Sequence, residues 1–388
     1  MALPGADLLN DDLFIFAGEP SGDLHGEQLL SALYTLDPSL KIHGVGGPRM
    51  RTTPMKCTLE MEAFQVMGFR DVLFSLPSLW KHFNRIKKDL LKNPPKAIVT
   101  IDYPGFNLRL HQSLSKNHSP SKQIHYISPS VWAWGKRRIP KMERSLDSLL
   151  TILPFEVDLF SKEKLTAHYV GNPIVSRIQD YPYNPQWKSR YFIEEGRPIL
   201  SIFPGSREKE LMRNFALQLM CAKKLKESHP DLLIVISCSS EKLRPFLEKE
   251  AGDLCIVAPD HTYDLMRSSY LALATSGTVT LELALHQIPT VVTYAMHPID
   301  LFLAQKIFRI HLPYYALPNL LLNQPLFPEL FGPKLTEEAL LKVGREYLMS
   351  EWKRSSTIEG CRRLKKLLGP QDASMEAAKL ILKSLERA

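Results

Sequence analysis

Four short stretches join glycine or other small residues to side chains that can carry charge or move a proton, and each follows an apolar run. In Phe203-Pro204-Gly205-Ser206-Arg207-Glu208 a tight turn delivers Arg207 to the start of a helical segment, where a planar guanidinium beside free amides suits a phosphate. Ala274-Thr275-Ser276-Gly277-Thr278 offers hydroxyls and amides in the same setting, with Glu282 one turn into the following helix. A diphosphate at that helix start would bring a ribose to Glu282, whose carboxylate can accept from two vicinal hydroxyls. Taken singly, each loop reads equally well as a tight turn, with Glu282 an exposed helical acid. Two in one half of the chain favour a nucleotide diphosphate.

The other two stretches lie in the first half. Ile101-Asp102-Tyr103-Pro104-Gly105-Phe106-Asn107 places a carboxylate at a strand end, making Asp102 a candidate general base, with a turn or cap aspartate as the alternative. Ala17-Gly18-Glu19-Pro20-Ser21-Gly22-Asp23-Leu24-His25-Gly26 is a glycine-rich turn leading into a helix around residues 28–33. Its glycines allow close backbone approach, while Ser21 and Asp23 read equally as helix caps and His25 as a packed surface histidine. Beside these, Tyr126-Ile127-Ser128-Pro129-Ser130-Val131-Trp132-Ala133-Trp134-Gly135 sets two tryptophans in a loop after a strand. They could pack on their own domain or form a flat wall for a sugar ring or an acyl chain. No GxxxxGK[ST] sequence occurs, and Gly44-Val45-Gly46-Gly47-Pro48 has the wrong spacing for a dinucleotide turn, which disfavours ATP hydrolysis and NAD chemistry.

The elements that must position these loops are short apolar runs alternating with helical-period segments, the pattern of βα units and parallel sheets. Strands are expected at 13–17, 41–45, 97–101, 123–127, 149–153 and 168–170, and again at 198–203, 232–238, 254–257, 271–274 and 290–294. This predicts an α/β chain of two Rossmann-like domains, at 1–175 and 191–350, joined by a proline-bearing polar linker at 176–190. A helical segment at 351–388 should pack back over existing surface. A cleft between the two domains is the expected binding site.

At 388 residues, 44% apolar and 23% charged, the chain is neither disordered nor a disulfide scaffold. Five scattered cysteines without CxxC spacing support neither a metal cage nor a disulfide framework. No apolar stretch reaches membrane-spanning length, and Asp7, Asp11 and Asp12 stand where a secretory signal would be basic, so a cytosolic, unprocessed protein is expected. The net charge of +8 favours an anionic partner. No nucleic-acid module or interleaved basic–aromatic tract accompanies it, so nucleic acid is not expected among the partners. In the first domain Phe69, Leu73, Leu76 and Trp80 sit among Lys81, Arg85, Lys88 and Lys92, an apolar face edged with cations. Such a face either packs on its own domain or docks on a lipid surface.

Taken in order, AGEPSGD, GVGGPRM, VMGF, IDYPGFN, YISPSVWAWGKRR, LPFE, PGSREKE, SGTVTLE and LPNLLLN resemble the lipid-A-disaccharide synthase family of glycosyltransferases, from near residue 17 to near residue 323. The resemblance implies a GT-B-like architecture and no metal or other cofactor. It also implies an inverting reaction that joins a UDP-2,3-diacylglucosamine donor to a 2,3-diacylglucosamine 1-phosphate acceptor in a β-1,6 linkage, releasing UDP. By the same matching Asp102 is the base, Ser21, Asp23 and His25 face the acceptor, and Arg207, Ser276, Gly277, Thr278, Glu282 and Asn319 bind the nucleotide. Phe69, Leu73, Leu76 and Trp80 would then dock the enzyme on the inner face of the inner membrane. A homo-oligomer is compatible with the sequence. Another UDP-sugar transferase or a UDP-sugar epimerase of the same architecture is the rival reading. The chain departs from the family pattern at Gly105, where relatives carry a second aspartate, at Asn172, where histidine is usual, and at Gly332, where glutamine often follows.

Overall fold

The computed structural model describes residues 11–64, 69–133, 135–162, 164–297, 301 and 312–386. The chain divides into two compact units, Met1–Ser176 with Pro370–Ala388, and Arg177–Gly369.

In the first unit β1 (Leu13–Ala17), β2 (Ile42–Gly46), β3 (Lys56–Glu60), β4 (Ala97–Ile101), β5 (Lys122–Tyr126), β6 (Ser148–Thr151) and β7 (Ala167–Tyr169) form a parallel sheet in the order β3-β2-β1-β4-β5-β6-β7. The intervening helices are α1 (Pro20–Leu36), α2 (Phe69–Lys92), α3 (Pro104–Lys116), α4 (Ile139–Glu143) and α5 (Pro154–Ser161), and α6 (Pro173–Gln179) carries the chain from Ser176 of this unit to Arg177 of the second. The β1 sequence LFIFA is apolar at every position because both faces of the sheet are covered. Leu13 and Ile15 join α1 residues Leu29 and Leu33 on one face, while Phe14 and Phe16 join Ile86, Leu90, Leu110 and Leu114 of α2 and α3 on the other.

The second unit repeats the plan. It begins with α7 (Trp187–Arg190) and continues through β8 (Ile199–Phe203), α8 (Glu208–Ser228), β9 (Leu233–Ser237), α9 (Arg244–Ala251), β10 (Cys255–Val257), α10 (Thr262–Ser268), β11 (Leu271–Thr275), α11 (Thr278–Leu285), β12 (Thr290–Tyr294), α12 (Leu317–Leu322) and β13 (Glu329–Phe331). Its parallel strands lie in the order β10-β9-β8-β11-β12-β13. Helices α13 (Glu337–Met349) and α14 (Glu351–Leu368) close this unit, and α15 (Ala373–Leu385) returns to the first unit, where its Ala377 and Ile381 join the core of α1.

Three expectations meet a different structure. The segment at 176–190 is not a free linker, because its aromatic residues bind it to the second unit. Trp187 is buried and its indole N–H donates to Ser268 Oγ at 3.3 Å, while Tyr181 donates to Asp264. The C-terminal helices divide between the units at Gly369 and Pro370 instead of forming one segment. Helix α1 begins at Pro20, eight residues earlier than expected, so Ser21 and Asp23 lie inside it and do not cap it.

Ser21 is exposed, but Asp23 is buried within the unit. Its carboxylate accepts from the amides of Gly47 at 2.8 Å, Arg49 at 3.0 Å and Met50 at 3.0 Å, pinning the turn after β2 onto α1. Removing it leaves buried amides without acceptors. Asp23→Ala should lower the unfolding free energy by about 3 kcal/mol, whereas exposed Ser21→Ala should stay within about 0.5 kcal/mol of wild type in denaturant titration.

Candidate active site

The strand order of each sheet reverses once, between β1 and β4 and between β8 and β11. In such sheets the loops on either side of the reversal diverge and open a crevice beyond the carboxyl ends of the strands. The residues singled out above fall at these two places.

In the first unit Glu19 follows β1 and Asp102 follows β4, its paired neighbour. Asp102 and Tyr103 both have φ of 46°, a left-handed conformation rare for side-chain-bearing residues, and two in succession store strain. Several contacts hold the turn. Asp102 N–H donates to the Tyr126 carbonyl at 2.9 Å, and Asn107 Nδ2 donates to the carbonyls of Asp102 at 2.7 Å and Ile101 at 3.3 Å. The Tyr103 ring stacks beside Phe16 and Phe106, and its hydroxyl reaches the Phe64 carbonyl. Gly18 makes room for that ring, since a Cβ there would lie 2.7 Å from Tyr103 Cδ1.

Held this way, the Asp102 carboxyl is largely buried and hydrogen-bonded to Glu19. Burial, the Glu19 charge and that hydrogen bond push it up to about 7, against a weaker opposing pull from the Tyr103 amide. The Asp102 carboxyl is thus poised between its protonated and ionised forms near neutral pH, as a proton acceptor needs to be. Glu19 was not among the sequence candidates. It reads as an acid at a helix start, and only the strand order sets it against Asp102. A Cβ at Gly105 would meet open space.

The neighbouring loops fill in the same edge of this sheet. Trp132 lies edge-on to Phe155 and donates to Glu156 Oε1 at 3.2 Å, so it is packed within its unit. Burial pushes the Glu156 carboxyl up to about 8. Trp134 lies outside the described residues. His25 is half-buried, edge-on to Tyr126 at 6.5 Å.

In the second unit Gly205 adopts φ of 116°, which a side chain would strain, and turns the chain after β8. Thr275, at the end of β11, donates from Oγ1 to the Pro204 carbonyl at 2.9 Å and ties the two loops together. Arg207 caps α8 with its side chain 81% exposed, paired with Glu210 at 2.7 Å. An exposed pair of this kind contributes little stability and leaves the guanidinium able to turn to an anion. Ser276 is half-buried while Gly277 and Thr278 are exposed at the start of α11, whose first amides have no partner within the helix. Glu282, one turn on, lies close beneath the surface, with Oε1 engaged by Arg177 and Tyr263.

Asn319 is the exception among the nucleotide candidates. It is fully buried and its amide is spent internally, donating to the Phe327 carbonyl and Glu329 Oε1 and accepting from Phe327 N–H. It fixes the α12 segment. The side chains of Phe69, Leu73 and Leu76 lie outside the described residues, although the backbone of α2 includes them.

Two such parallel sheets, each with loops gathered at its reversal, define a GT-B protein built from two Rossmann-like units. The fold is shared with UDP-N-acetylglucosamine 2-epimerase from Neisseria meningitidis, solved with UDP-N-acetylglucosamine, at a TM-score of 0.58 and 11% identity over 97% of this chain and 99% of that one. The calicheamicin glycosyltransferase CalG4 is similar at a TM-score of 0.60 and 13% identity, over 97% and 99%. The chain belongs to the lipid-A-disaccharide synthetase family, whose profile matches residues 13–383. It is 39% identical to lipid-A-disaccharide synthase from Chlamydia pneumoniae over 97% of this chain and 63% of that protein, and 42% identical to the Chlamydia felis enzyme over 84% and 52%. The chain thus spans between half and two thirds of these chlamydial relatives. The Geobacter metallireducens synthase is 30% identical, over 97% of this chain and 98% of its own length.

The raised Asp102 carboxyl fixes a pH dependence. Above the ordinary carboxylate range, near pH 4, the unfolded chain releases this proton while the folded chain keeps it until about pH 7. The unfolded state therefore binds fewer protons in that window, and stability falls as pH rises across it. Asp102→Asn should match wild type in thermal unfolding near pH 4 and exceed it by several degrees at pH 8. Parallel profiles would contradict the assignment.

Proposed function

We propose that this chain is an inverting glycosyltransferase that condenses UDP-2,3-diacylglucosamine with 2,3-diacylglucosamine 1-phosphate, giving a β-1,6-linked disaccharide 1-phosphate and UDP. The observation that carries the reading is the buried Asp102 carboxyl, set beside Glu19 where β1 and β4 part and raised to about 7. Family membership supports the choice of substrates.

In this reading Asp102 takes the proton from the acceptor 6-hydroxyl as that oxygen attacks the anomeric carbon from the face opposite the leaving UDP. Glu19 keeps the Asp102 carboxyl basic enough to accept it. The developing charge on the diphosphate is met by Arg207, freed from Glu210, and by the hydroxyls and first amides of the Ser276-Gly277-Thr278 turn. Glu282 accepts from the ribose. Ser21, exposed at the start of α1, and His25 lie on the acceptor side.

The substrates carry acyl chains, and α2 is the surface suited to meet them. Its Leu79, Phe83, Ile86 and Leu90 pack inward, whereas Trp80 is 65% exposed, stacked on Phe83 and flanked by exposed Lys81, Arg85, Lys88 and Lys92. Together with Phe69, Leu73 and Leu76 this edge would dip among anionic headgroups on the cytoplasmic face of the inner membrane. No helix among the described residues is long and apolar enough to cross a membrane.

Incubating the protein with both diacylated substrates should yield disaccharide 1-phosphate and UDP by mass spectrometry. Asp102→Asn should lower turnover about 100-fold or more with UDP affinity little changed. Epimerised UDP-sugar without consumption of acceptor would replace this reading with its rival. For the membrane edge, Trp80→Ser should weaken cosedimentation with phosphatidylglycerol vesicles, and adding Phe69→Ser, Leu73→Ser and Leu76→Ser should abolish it with native circular dichroism. Undiminished binding would place the docking surface elsewhere.

A further inference from the structure

Glu282 is held by two residues distant in sequence. Arg177 Nη2 donates to its Oε1 at 2.5 Å, the Tyr263 hydroxyl donates to the same oxygen at 2.8 Å, and Arg177 Nε donates to that hydroxyl at 2.8 Å. The hydroxyl accepts one hydrogen bond and donates one, so the three groups close a ring of three hydrogen bonds. The ring is rigidly placed. Tyr263 is buried against Tyr181 at 5.1 Å and His286 at 5.2 Å, and Arg177 leans over its face. Burial and the Glu282 charge raise the Tyr263 hydroxyl well above its ordinary range, so it remains a donor.

Neither Arg177 nor Tyr263 belongs to a glycine-rich loop, and neither was singled out in the sequence. Without them the Glu282 side chain would lose the two contacts that fix the position of its carboxylate. With them, Oε1 carries two donors, and a diol approaching along α11 is left Oε2. A charge-assisted acceptor fixed in advance binds its donor without first losing rotamer freedom.

We propose that Arg177 and Tyr263 are positioning residues for the nucleotide: by engaging Oε1 they present Oε2 of Glu282 to the ribose hydroxyls and so set the preference for ribonucleotide over deoxyribonucleotide. This rests on the reading of Glu282 as the ribose acceptor.

Calorimetry with UDP and 2′-deoxy-UDP on the full chain tests it. The ratio of the two affinities isolates the hydroxyl contact from everything the ligands share. Wild type should prefer UDP by about tenfold or more, as expected for a hydrogen bond to a charged acceptor. Tyr263→Phe and Arg177→Gln should each cut that ratio by about threefold or more while changing 2′-deoxy-UDP affinity by less than about twofold, and Glu282→Gln should nearly abolish the preference. If Glu282→Gln collapses the ratio but the other two leave it intact, the positioning role is overturned and the ribose reading stands. Equal loss of both ligands in Tyr263→Phe and Arg177→Gln would mark these residues as scaffold only and likewise overturn the proposal. If Glu282→Gln leaves the ratio unchanged, the ribose reading fails, and the proposal with it. Tyr263→Phe keeps the ring and its packing, so it decides the matter if Arg177→Gln does not fold.

Discussion

Right-handed crossovers between parallel strands put successive helices on one face of a sheet until the strand order reverses, and on the other face afterwards. The two loops flanking the reversal are thereby pulled apart, and the backbone groups at the strand ends are left uncovered. Each unit of this chain has one such place, with Glu19 and Asp102 at the first and the Gly205 and Gly277 turns at the second. All of the chemistry argued above follows from that constraint. The same loops on adjacent strands without a reversal would be covered by their helices, and residues 83 positions apart in sequence would have no reason to meet.

Topology brings Glu19 and Asp102 close, but packing makes the contact useful. The left-handed Asp102–Tyr103 turn is held by Asn107, by the Tyr126 carbonyl and by the aromatic cluster of Phe16, Phe64 and Phe106. That cluster is continuous with the inward face of α2, so the helix proposed to meet the membrane also braces the turn that carries the base. Burial of the carboxyl raises its proton affinity, and the price is a stability penalty above neutral pH.

Much of this was legible in the sequence. The apolar runs of β1, β4 and β12 have the boundaries expected, because strands buried on both faces declare themselves without any periodicity. Two strands escaped notice. In β3, KCTLE is half-exposed and charged at both ends, and β13 is three residues long; both are edge strands, where pairing and not composition makes the strand. Among the site residues, Asp102, Arg207, Ser276, Gly277, Thr278 and Glu282 sit on the loops the motifs implied. Asp23 and Asn319 are instead each committed to backbone amides or carbonyls elsewhere in their own units. Such commitments depend on contacts that no local pattern reveals. The same is true of Glu19, whose partner lies on a different strand, and of Arg177, whose segment reads as a linker until its aromatic neighbours are seen to pack.

The central claim is that Glu19 tunes Asp102. The direct measurement is the pH profile of kcat/KM for disaccharide formation in wild type and Glu19→Gln, which reports the free enzyme's essential groups. Wild type should show an acidic limb with a midpoint near pH 7. Replacing the neighbouring carboxyl with an amide removes the like charge and can donate to the ionised Asp102, so the midpoint should move to lower pH. A limb that stays in place in Glu19→Gln would contradict the account, since the group titrating in catalysis would then not be an Asp102 carboxyl coupled to Glu19.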